Sequence, residues 1–331
     1  MRIPHSDLTG GSNWSQDLAA SLQIGAAVLA TVTAVHGSVP REVGAKLVLD
    51  AQGTVRGTIG GGAGEAKVIQ LAQQVWQTGD KQFVDIDLSG APQRQVQGVC
   101  GGQMQVWVER WQGEAAIALI TQICALLKAG QSVQLVTPIA SNCSPYLLLL
   151  KDFPPADGMV EILQPPPTLL IVGAGHVGIQ LATVAALIGF QVVVQDDRPE
   201  WANASRYPQA SQIFTGSIAS ALAHLVDHPQ LYAALVTRGY QYDLEALDQL
   251  LQRAIPCAYI GMIGSDKRVR QVYRAIAQGG MPTNKLHSIY APIGLDIGAL
   301  TPAEIAISIS AELILVRRGG TGRSLSQLSQ P

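Results

Sequence analysis

A glycine-rich turn near the middle of the chain constrains the fold more than any other feature of the sequence. The apolar run Leu169–Val172 passes directly into Gly173-Ala174-Gly175-His176-Val177-Gly178, and an apolar helical segment follows. In a dinucleotide-binding turn the first glycine makes the tight turn, the second lets a pyrophosphate approach, and the third lets helix and strand pack closely. The amide groups and dipole of the helix N-terminus then favour a phosphate. The sequence therefore predicts a Rossmann unit that begins at this strand.

A second predicted strand, 191–195, ends in the acidic pair Asp196-Asp197, which lies about where a dinucleotide-binding unit holds a ribose hydroxyl. Arg238 ends a later strand and is expected to clamp an anion. The predicted nucleotide-binding residues are Gly173, Gly175, His176, Gly178, Asp196 and Arg238. The alternative is that the glycines only allow close packing and that the acids cap helices and form turns.

The second half of the chain alternates between strand-like and helix-like segments, which is typical of a doubly wound parallel α/β sheet. Glycine-rich and polar turns follow the predicted strands and would meet at one sheet edge, where such folds bind ligands. Ordinary tight turns are the alternative. The predicted strands are 168–172, 191–195, 211–215, 231–236, 257–262 and 286–291, and the predicted helices are 176–188, 217–226, 242–253, 265–278 and 301–317.

The first half predicts a mixed α/β domain. A strand over 26–35, a hairpin over 45–59 and a helix ending near Thr78 precede a strand over 83–88 that alternates between apolar and acidic residues. A partner strand over 103–108, a helix over 117–128 and a strand over 133–137 follow. The proline-rich segment 151–168 reads as a linker, because prolines block both helix and sheet. The predicted domains are therefore 1–163 and 164–331.

Composition limits the partners that the chain is expected to have. The net charge of −2 gives no broad attraction to nucleic acid or to anionic membranes. The N-terminal residues lack the apolar core of a secretory signal, and the apolar stretch 115–127 is too short to span a bilayer. The four cysteines have no metal-ligand spacing. We expect a cytoplasmic protein that binds neither nucleic acid nor membrane.

Two further segments of the first half are candidates for binding. Gly60-Gly61-Gly62 precedes a helix and predicts a backbone anion site, with Arg41 and Lys46 adding positive charge. The alternative is a glycine-rich hairpin exit with Glu65 in the first helical turn. Cys100 is followed by Gly101-Gly102, and an accessible thiolate there would bind a soft metal centre or take part in sulfur transfer. The alternative for Cys100 is a small buried apolar residue.

Several blocks of the sequence together resemble a known family. They are HGSVPREVGAKLVLDAQGTVRGTIGGGAGE, GVCGG, LLIVGAGHVG, VVVQDDRPEWA, VTRGYQYD, AYIGMIGSDKRV and APIGLDIGALTPAEIAISISAELI. In this order, from Ala26 to Arg318, they are similar to the xanthine dehydrogenase accessory factors of the XdhC/CoxI family. The resemblance implies an N-terminal XdhC/CoxI domain followed by a C-terminal Rossmann-like domain.

The resemblance also implies a function. Members of the family are associated with molybdenum hydroxylases: they bind the molybdenum cofactor (molybdopterin), help a cysteine desulfurase to sulfurate it and deliver it to the apo-enzyme. Cys100 then becomes the cofactor-contacting thiol and metal ligand. We therefore expect a cofactor chaperone with little turnover of its own. An NAD(P)-dependent oxidoreductase that uses the Rossmann turn, and a scaffold without bound cofactor, stay open as alternatives, as does a homodimer.

Overall fold

The computed structural model describes residues 2–6, 14–88, 101–140, 143–150, 152, 158–226, 228 and 230–328. Contacts within the chain divide it into Met1–Pro166 (unit 1) and Pro167–Pro331 (unit 2). The assignment of an XdhC/CoxI domain to 1–163 and of a Rossmann-like domain to 164–331 stays a prediction. No described helix combines the length and the apolar character needed to cross a membrane.

Unit 1 has a mixed α/β architecture. Its described strands form an antiparallel sheet with the order β4-β3-β2-β6-β5 and a second sheet with the order β1-β9-β7-β8. Its elements in chain order are β1 (Arg2–Ser6), α1 (Trp14–Ile24), β2 (Ala27–His36), β3 (Lys46–Leu49), β4 (Val55–Gly57), α2 (Gly62–Thr78), β5 (Gln82–Asp87), β6 (Gln103–Trp111), α3 (Gly113–Lys128), β7 (Val133–Pro138), β8 (Tyr146–Leu148) and β9 (Gly158–Leu163).

The predicted hairpin and the predicted alternating strand are both confirmed in the antiparallel sheet. Strands β3 and β4 pair across a turn in which Asp50 Oδ1 accepts the amides of Gln52 and Thr54. On β5, Val84 and Ile86 point into the core and pack against α2, whereas Asp85 is exposed. The register pairs β5 with β6 and β6 with β2, so the polar ends of these strands lie at one end of the sheet.

The prediction of a continuous linker over 151–168 is wrong. Strand β9 lies inside this segment, pairs with both β1 and β7, and is buried along most of its length. Glu161 interrupts its apolar pattern, but the charge is matched inside the protein by Lys46, whose Nζ lies 2.6 Å from Glu161 Oε1. A charged residue inside a buried strand is not expected from sequence patterns, because its partner Lys46 is far away in the sequence.

Unit 2 is a doubly wound parallel sheet, as predicted. Its six described strands follow the order β12-β11-β10-β13-β14-β15 and pair in parallel throughout. Its elements are β10 (Thr168–Val172), α4 (His176–Leu187), β11 (Gln191–Gln195), β12 (Ala210–Phe214), α5 (Ile218–Ala223), β13 (Leu231–Leu235), α6 (Tyr240–Leu251), β14 (Tyr259–Met262), α7 (Asp266–Gln278), α8 (Thr283–Leu286), β15 (Ile289–Tyr290), α9 (Pro302–Arg318) and α10 (Leu325–Leu328).

Counted within unit 2, this order is 3-2-1-4-5-6, the order of dinucleotide-binding Rossmann folds. Alternate residues of the central strand β10 enter different hydrophobic clusters, Leu170 on one face of the sheet and Leu169 and Ile171 on the other. Burial on both faces explains why the central strands β10 and β13 are almost entirely apolar. The predicted strand 286–291 is observed only as β15, Ile289–Tyr290, and its first predicted residue, Leu286, belongs to α8.

Candidate functional site

A crevice of about 350 Å³ lies at the carboxyl ends of β10, β11 and β13 in unit 2. Strands β11 and β13 flank β10 on opposite sides, so the chain reverses its winding direction there, and open α/β sheets bind ligands at such a point. The predicted crevice lies at this edge, and it is lined by the turns after β10, β11 and β13, whereas the turns after β14 and β15 do not line it. The residues that line it include Gly173, Asp196, Asp197, Thr237, Arg238, Tyr242 and Glu245.

The three glycines of the turn have the spatial roles that the sequence predicts. Gly173 has a φ of +108°, and a Cβ at this residue would lie 2.6 Å from the carbonyl oxygen of Val236. A Cβ on Gly178 would lie 2.5 Å from the carbonyl oxygen of Gly173, which reflects the close contact of helix α4 with the turn. At Gly175 a Cβ would meet no atom within 4 Å. The turn therefore presents open space where a phosphate is expected.

Asp196 lies at the end of β11 as predicted, but its carboxylate accepts hydrogen bonds from groups of the protein itself. Oδ2 accepts the Ala174 amide at 2.7 Å, and both oxygens accept hydrogen bonds of 2.8 Å from the Arg198 guanidinium. Burial opposes ionisation of Asp196, but the hydrogen bonds from Arg198 and the Ala174 amide outweigh it and lower the pKa to about 2. Asp196 thus fixes the glycine turn, and its predicted binding of ribose stays a prediction.

The neighbouring Asp197 has a different environment. Its side chain is 47% exposed and forms a two-pronged ion pair with Arg238, at 2.7 and 2.9 Å. The guanidinium of Arg238 also stacks 4.0 Å from the ring centre of Tyr242 and donates to its hydroxyl. The hydrogen bonds to Asp197 raise the pKa of Arg238. This pair joins the turn after β11 to the turn after β13 at the crevice.

Behind these turns lies a network that sequence patterns did not indicate. Arg268, at the start of α7, lies 2.5 Å from the carboxylate of the buried Asp243. The Thr237 hydroxyl donates to Asp243 and accepts from Arg268 at 2.8 Å. The start of α7 is thereby tied to the turn after β13. The sequence could not predict this network, because its three residues come from three separate segments of the chain.

An aromatic and cationic cluster surrounds the N-terminus of α4. The ring of His176 contacts the edge of Trp201 with ring centres 5.8 Å apart. The guanidinium groups of Arg198 and Arg206 lie 4.8 and 4.5 Å from the Trp201 ring centre. His176 is therefore placed beside the turn as predicted, whereas Trp201 and Arg206 were not singled out from the sequence.

In unit 1 the predicted anion site at Gly60-Gly61-Gly62 is largely taken by the chain itself. The carboxylate of Glu65 accepts the amides of Ile59 at 3.0 Å and Gly61 at 3.2 Å, and the Gly60 amide donates to Thr58 Oγ1. The structure thus favours the hairpin-exit alternative for Gly60 and Gly61. Gly62 begins helix α2, and a Cβ there would meet no atom within 4 Å.

The two cations predicted to support this loop differ in their environment. Lys46 is 5% exposed and pairs with Glu161, so the expectation that it adds positive charge to the loop is wrong. Arg41 lies half-buried in the segment between β2 and β3. Its proposed contact with a ligand stays a prediction.

A cavity of about 960 Å³ in unit 1 lies between α2 and the ends of β2, β5 and β6. Polar side chains on its walls include His36, Lys67, Gln70, Asp85, Asp87, Gln103 and Gln105. Lys67 Nζ donates to the Asp85 carbonyl at 2.9 Å, and Gln105 donates to the Asp85 carboxylate at 3.0 Å.

Gly101 and Gly102 are fixed at the end of β5 beside this cavity. The Gly101 amide donates to the Leu88 carbonyl at 3.0 Å, and the Leu88 amide donates to the Gly102 carbonyl at 2.7 Å. Cys100, the predicted metal ligand, lies outside the described residues. Among the residues that the structure does describe, no group of three or more His, Cys, Asp or Glu side chains is placed to hold a metal ion.

Comparison with known proteins gives matches in both halves of the chain. The family model described as the XdhC Rossmann domain matches residues 169–313. The model described as the XdhC and CoxI family matches residues 23–87. The first match covers the crevice and its turns, and the second covers the Gly60–Gly62 loop and helix α2.

Individual relatives extend these matches. The chain is 29% identical over 320 residues to a Bacillus subtilis (strain 168) protein whose name describes it as a probable subunit of xanthine dehydrogenase, and the match covers 88% of this chain and 93% of that protein. It is 27% identical over 304 residues to the uncharacterized protein YqeB of Escherichia coli (strain K12), and this match covers 92% of this chain. The chain spans only 46% of the length of YqeB.

A solved structure matches the whole length as well. A crystal structure from Bacillus halodurans, described as that of a xanthine dehydrogenase, is 28% identical, with a TM-score of 0.78. The match covers 96% of this chain and 98% of the other. The combination of both units is therefore shared with that protein.

Proposed function

The chain belongs to the XdhC and CoxI family, and on that premise we propose that it is a maturation factor for a molybdenum hydroxylase of the xanthine dehydrogenase type. The names of the Bacillus relatives support this proposal, because both refer to xanthine dehydrogenase. The E. coli relative gives no support for a particular activity, because it is uncharacterized and this chain spans about half of its length. The proposed client is the apo-form of such a hydroxylase.

The finer proposal is that the chain carries the molybdenum cofactor as cargo in the cavity of unit 1. The single observation that supports it is the size and polarity of that cavity. At about 960 Å³ it lies at the upper end of the range for small-molecule sites. A pterin ring presents hydrogen-bond donors and acceptors along one edge, and the carboxylates and amides of Asp85, Asp87, Gln103 and Gln105 offer both complements.

The phosphate of the cofactor needs a positive partner, and the described cavity wall offers Lys67. The Gly60 and Gly61 amides are a weaker choice, because Glu65 and Thr58 already accept their hydrogen bonds and a phosphate would meet the Glu65 charge. We therefore assign the phosphate to Lys67 and the pterin edge to the acidic and amide side chains.

Cys100 is proposed as the thiol that contacts the metal end of the cargo. This role rests on the sequence block Gly98-Val99-Cys100-Gly101-Gly102 and on the family resemblance. A thiolate suits a molybdenum centre that already has sulfur ligands. A cysteine desulfurase is the proposed partner that supplies the terminal sulfur, and the cytoplasm is the proposed location.

The test measures molybdenum and pterin retained by the purified full chain after growth with molybdate. We expect stoichiometric retention by the wild type, and a several-fold loss in Lys67→Ala and Cys100→Ser. Lys128→Ala, which removes an exposed lysine from α3 outside the cavity, serves as the matched control and should retain the wild-type amount. An empty wild-type protein, or equal retention by all variants, would contradict the cargo proposal.

A second candidate function is an NAD(P)-dependent oxidoreductase. The strand order of unit 2 and the open space at Gly175 favour it. Its test is oxidation of NADH or NADPH that depends on an added carbonyl substrate. If the protein binds a nucleotide but shows no such turnover, the crevice is a nucleotide-binding site and the oxidoreductase candidate is rejected.

A further inference from the structure

A smaller cavity of unit 1, about 290 Å³, lies beside the carboxyl end of β6 and the first turns of α3. Its volume is just below the range of sites for drug-sized ligands, so it suits a small molecule. Its walls include the acid Glu109 of β6 and the base Lys81, which directly precedes β5. It shares no lining residue with the cavity of about 960 Å³ and is therefore independent of the cargo proposal.

The acid and the base of this cavity face each other without forming an ion pair. The antiparallel register of β5 and β6, continued by one residue, places Lys81 opposite Glu109 on the same face of the sheet. Lys81 Nζ donates instead to the carbonyl oxygens of Pro138, at 3.4 Å, and Cys143. Glu109 Oε1 accepts from the Trp111 indole at 3.1 Å, and within the described ranges of the chain Glu109 forms no ion pair. The two charged groups are thus separated beside an open space.

A buried carboxyl group without a counter-charge is costly. Glu109 is 3% exposed, and burial raises its pKa to about 7 although the charges of Lys81 and Lys46 oppose this shift. The buried Glu161 differs, because Lys46 supplies its counter-charge within the chain. A cationic group in the cavity would supply the counter-charge that Glu109 lacks.

The same cavity offers partners for an anion. An ammonium group has three donors, and the two carbonyl oxygens take two of those of Lys81. The N-terminus of α3 lines the cavity through Gln112 and Ala115, and its N-cap Gln112 makes no side-chain capping bond. The first amides and the dipole of this 16-residue helix favour a carboxylate. Leu119 and Pro145 add apolar surface to the wall.

We infer that this cavity binds a small apolar α-amino acid as a zwitterion. The ammonium group of the ligand pairs with Glu109, and its carboxylate binds Lys81 and the first amides of α3. Its side chain lies against Leu119 and Pro145. An amine or a carboxylic acid alone would leave either Lys81 or Glu109 without a partner, so the site selects for a ligand that carries both charges.

The experiment titrates the purified full chain, dialysed to remove small molecules, with L-alanine, L-valine, L-leucine and L-methionine in a calorimeter. We expect at least one of them to bind. The matching carboxylic acid, which lacks the amino group, and the matching amine, which lacks the carboxyl group, should each bind at least roughly tenfold more weakly. Absence of binding by all four amino acids would overturn the inference, as would an acid or an amine that binds as tightly as its parent.

Variants assign the two charges of the ligand. Glu109→Gln keeps the shape of the side chain and should lower the affinity for the amino acid at least roughly tenfold, with the affinity for the carboxylic acid unchanged. Lys81→Met should lower it similarly, with the affinity for the amine unchanged. Glu114→Gln changes an exposed acid of α3 that does not line the cavity, and it should bind like the wild type.

Circular dichroism establishes that each variant is folded. Wild-type affinity for the amino acid in a folded Glu109→Gln or in a folded Lys81→Met would also overturn the inference. Because Lys81 is only half-buried, its variant keeps the test decisive if Glu109→Gln does not fold.

Discussion

At the scale of single residues, the surroundings of each carboxyl group decide its chemistry. Asp196 and Asp197 are adjacent in sequence, yet one is buried among donors and the other is half exposed. Glu109 on β6 is a third case: it is 3% exposed and accepts a hydrogen bond of 3.1 Å from the Trp111 indole. Burial raises its pKa from 4.5 to about 7, against the opposing charges of Lys81 and Lys46.

The raised pKa of Glu109 predicts a pH-dependent stability. Between pH 4.5 and about 7 the unfolded chain has released this proton while the folded chain still holds it. The free energy of unfolding should therefore fall as the pH rises through this window, by about 3 kcal/mol. Urea unfolding at pH 5 and pH 8 measures it. Glu109→Gln should remove the decline, whereas Glu114→Gln, an exposed acid of α3, should keep it; identical pH profiles for wild type and Glu109→Gln would refute this account.

At the scale of elements, β9 is a strand that the sequence analysis missed, because this segment was interpreted as a linker. Its Glu161 forms an ion pair with Lys46 of β3, and the two side chains are 6% and 1% exposed. The pair links the two sheets of unit 1. Because removal of one partner leaves a buried charge, such pairs are costly to break even when they add little stability.

We expect Glu161→Gln to lower the free energy of unfolding by about 3 kcal/mol, because Lys46 is left without its counter-charge. The double variant Lys46→Met with Glu161→Leu should recover most of the loss, since it removes both buried charges. Arg56→Met removes a half-exposed cation that lies 3.8 Å from Asp50, and it should cost less than about 1 kcal/mol because Asp50 keeps its hydrogen bonds from the amides of Gln52 and Thr54. Equal losses for Glu161→Gln and Arg56→Met in chemical denaturation would show that the buried pair has no special role.

The glycine turn gives a second test at this scale, because its glycines differ in the space around them. Gly173→Ala should destabilise unit 2 by about 3 kcal/mol, since Gly173 has a φ of +108° and its new Cβ would meet Val236. Gly175→Ala should fold normally and lose nucleotide binding, because its Cβ occupies the space left for phosphate. Thermal unfolding and NADH titration of both variants measure this. A Gly175→Ala protein that binds like the wild type would place the phosphate elsewhere.

At the scale of the whole molecule, the sequence predicted unit 2 better than unit 1. The apolar runs and glycine turns of unit 2 are local signals, and they predicted the parallel sheet and the edge at which the crevice lies. In unit 1 the decisive contacts join distant residues, such as Lys46 with Glu161. The sequence likewise indicated Gly60 and Gly61 as a backbone anion site. It did not show that the Glu65 carboxylate would accept the Gly61 amide and so occupy that site.

The most direct test of the account is the state of the client hydroxylase in cells with and without this chain. We measure the molybdenum content, the terminal sulfur and the activity of the purified hydroxylase. The account predicts that, without the chain, the hydroxylase accumulates as an inactive protein that lacks cofactor or its sulfur, and that the wild-type chain restores it. A fully loaded and active hydroxylase from cells that lack the chain would contradict the proposed role in maturation.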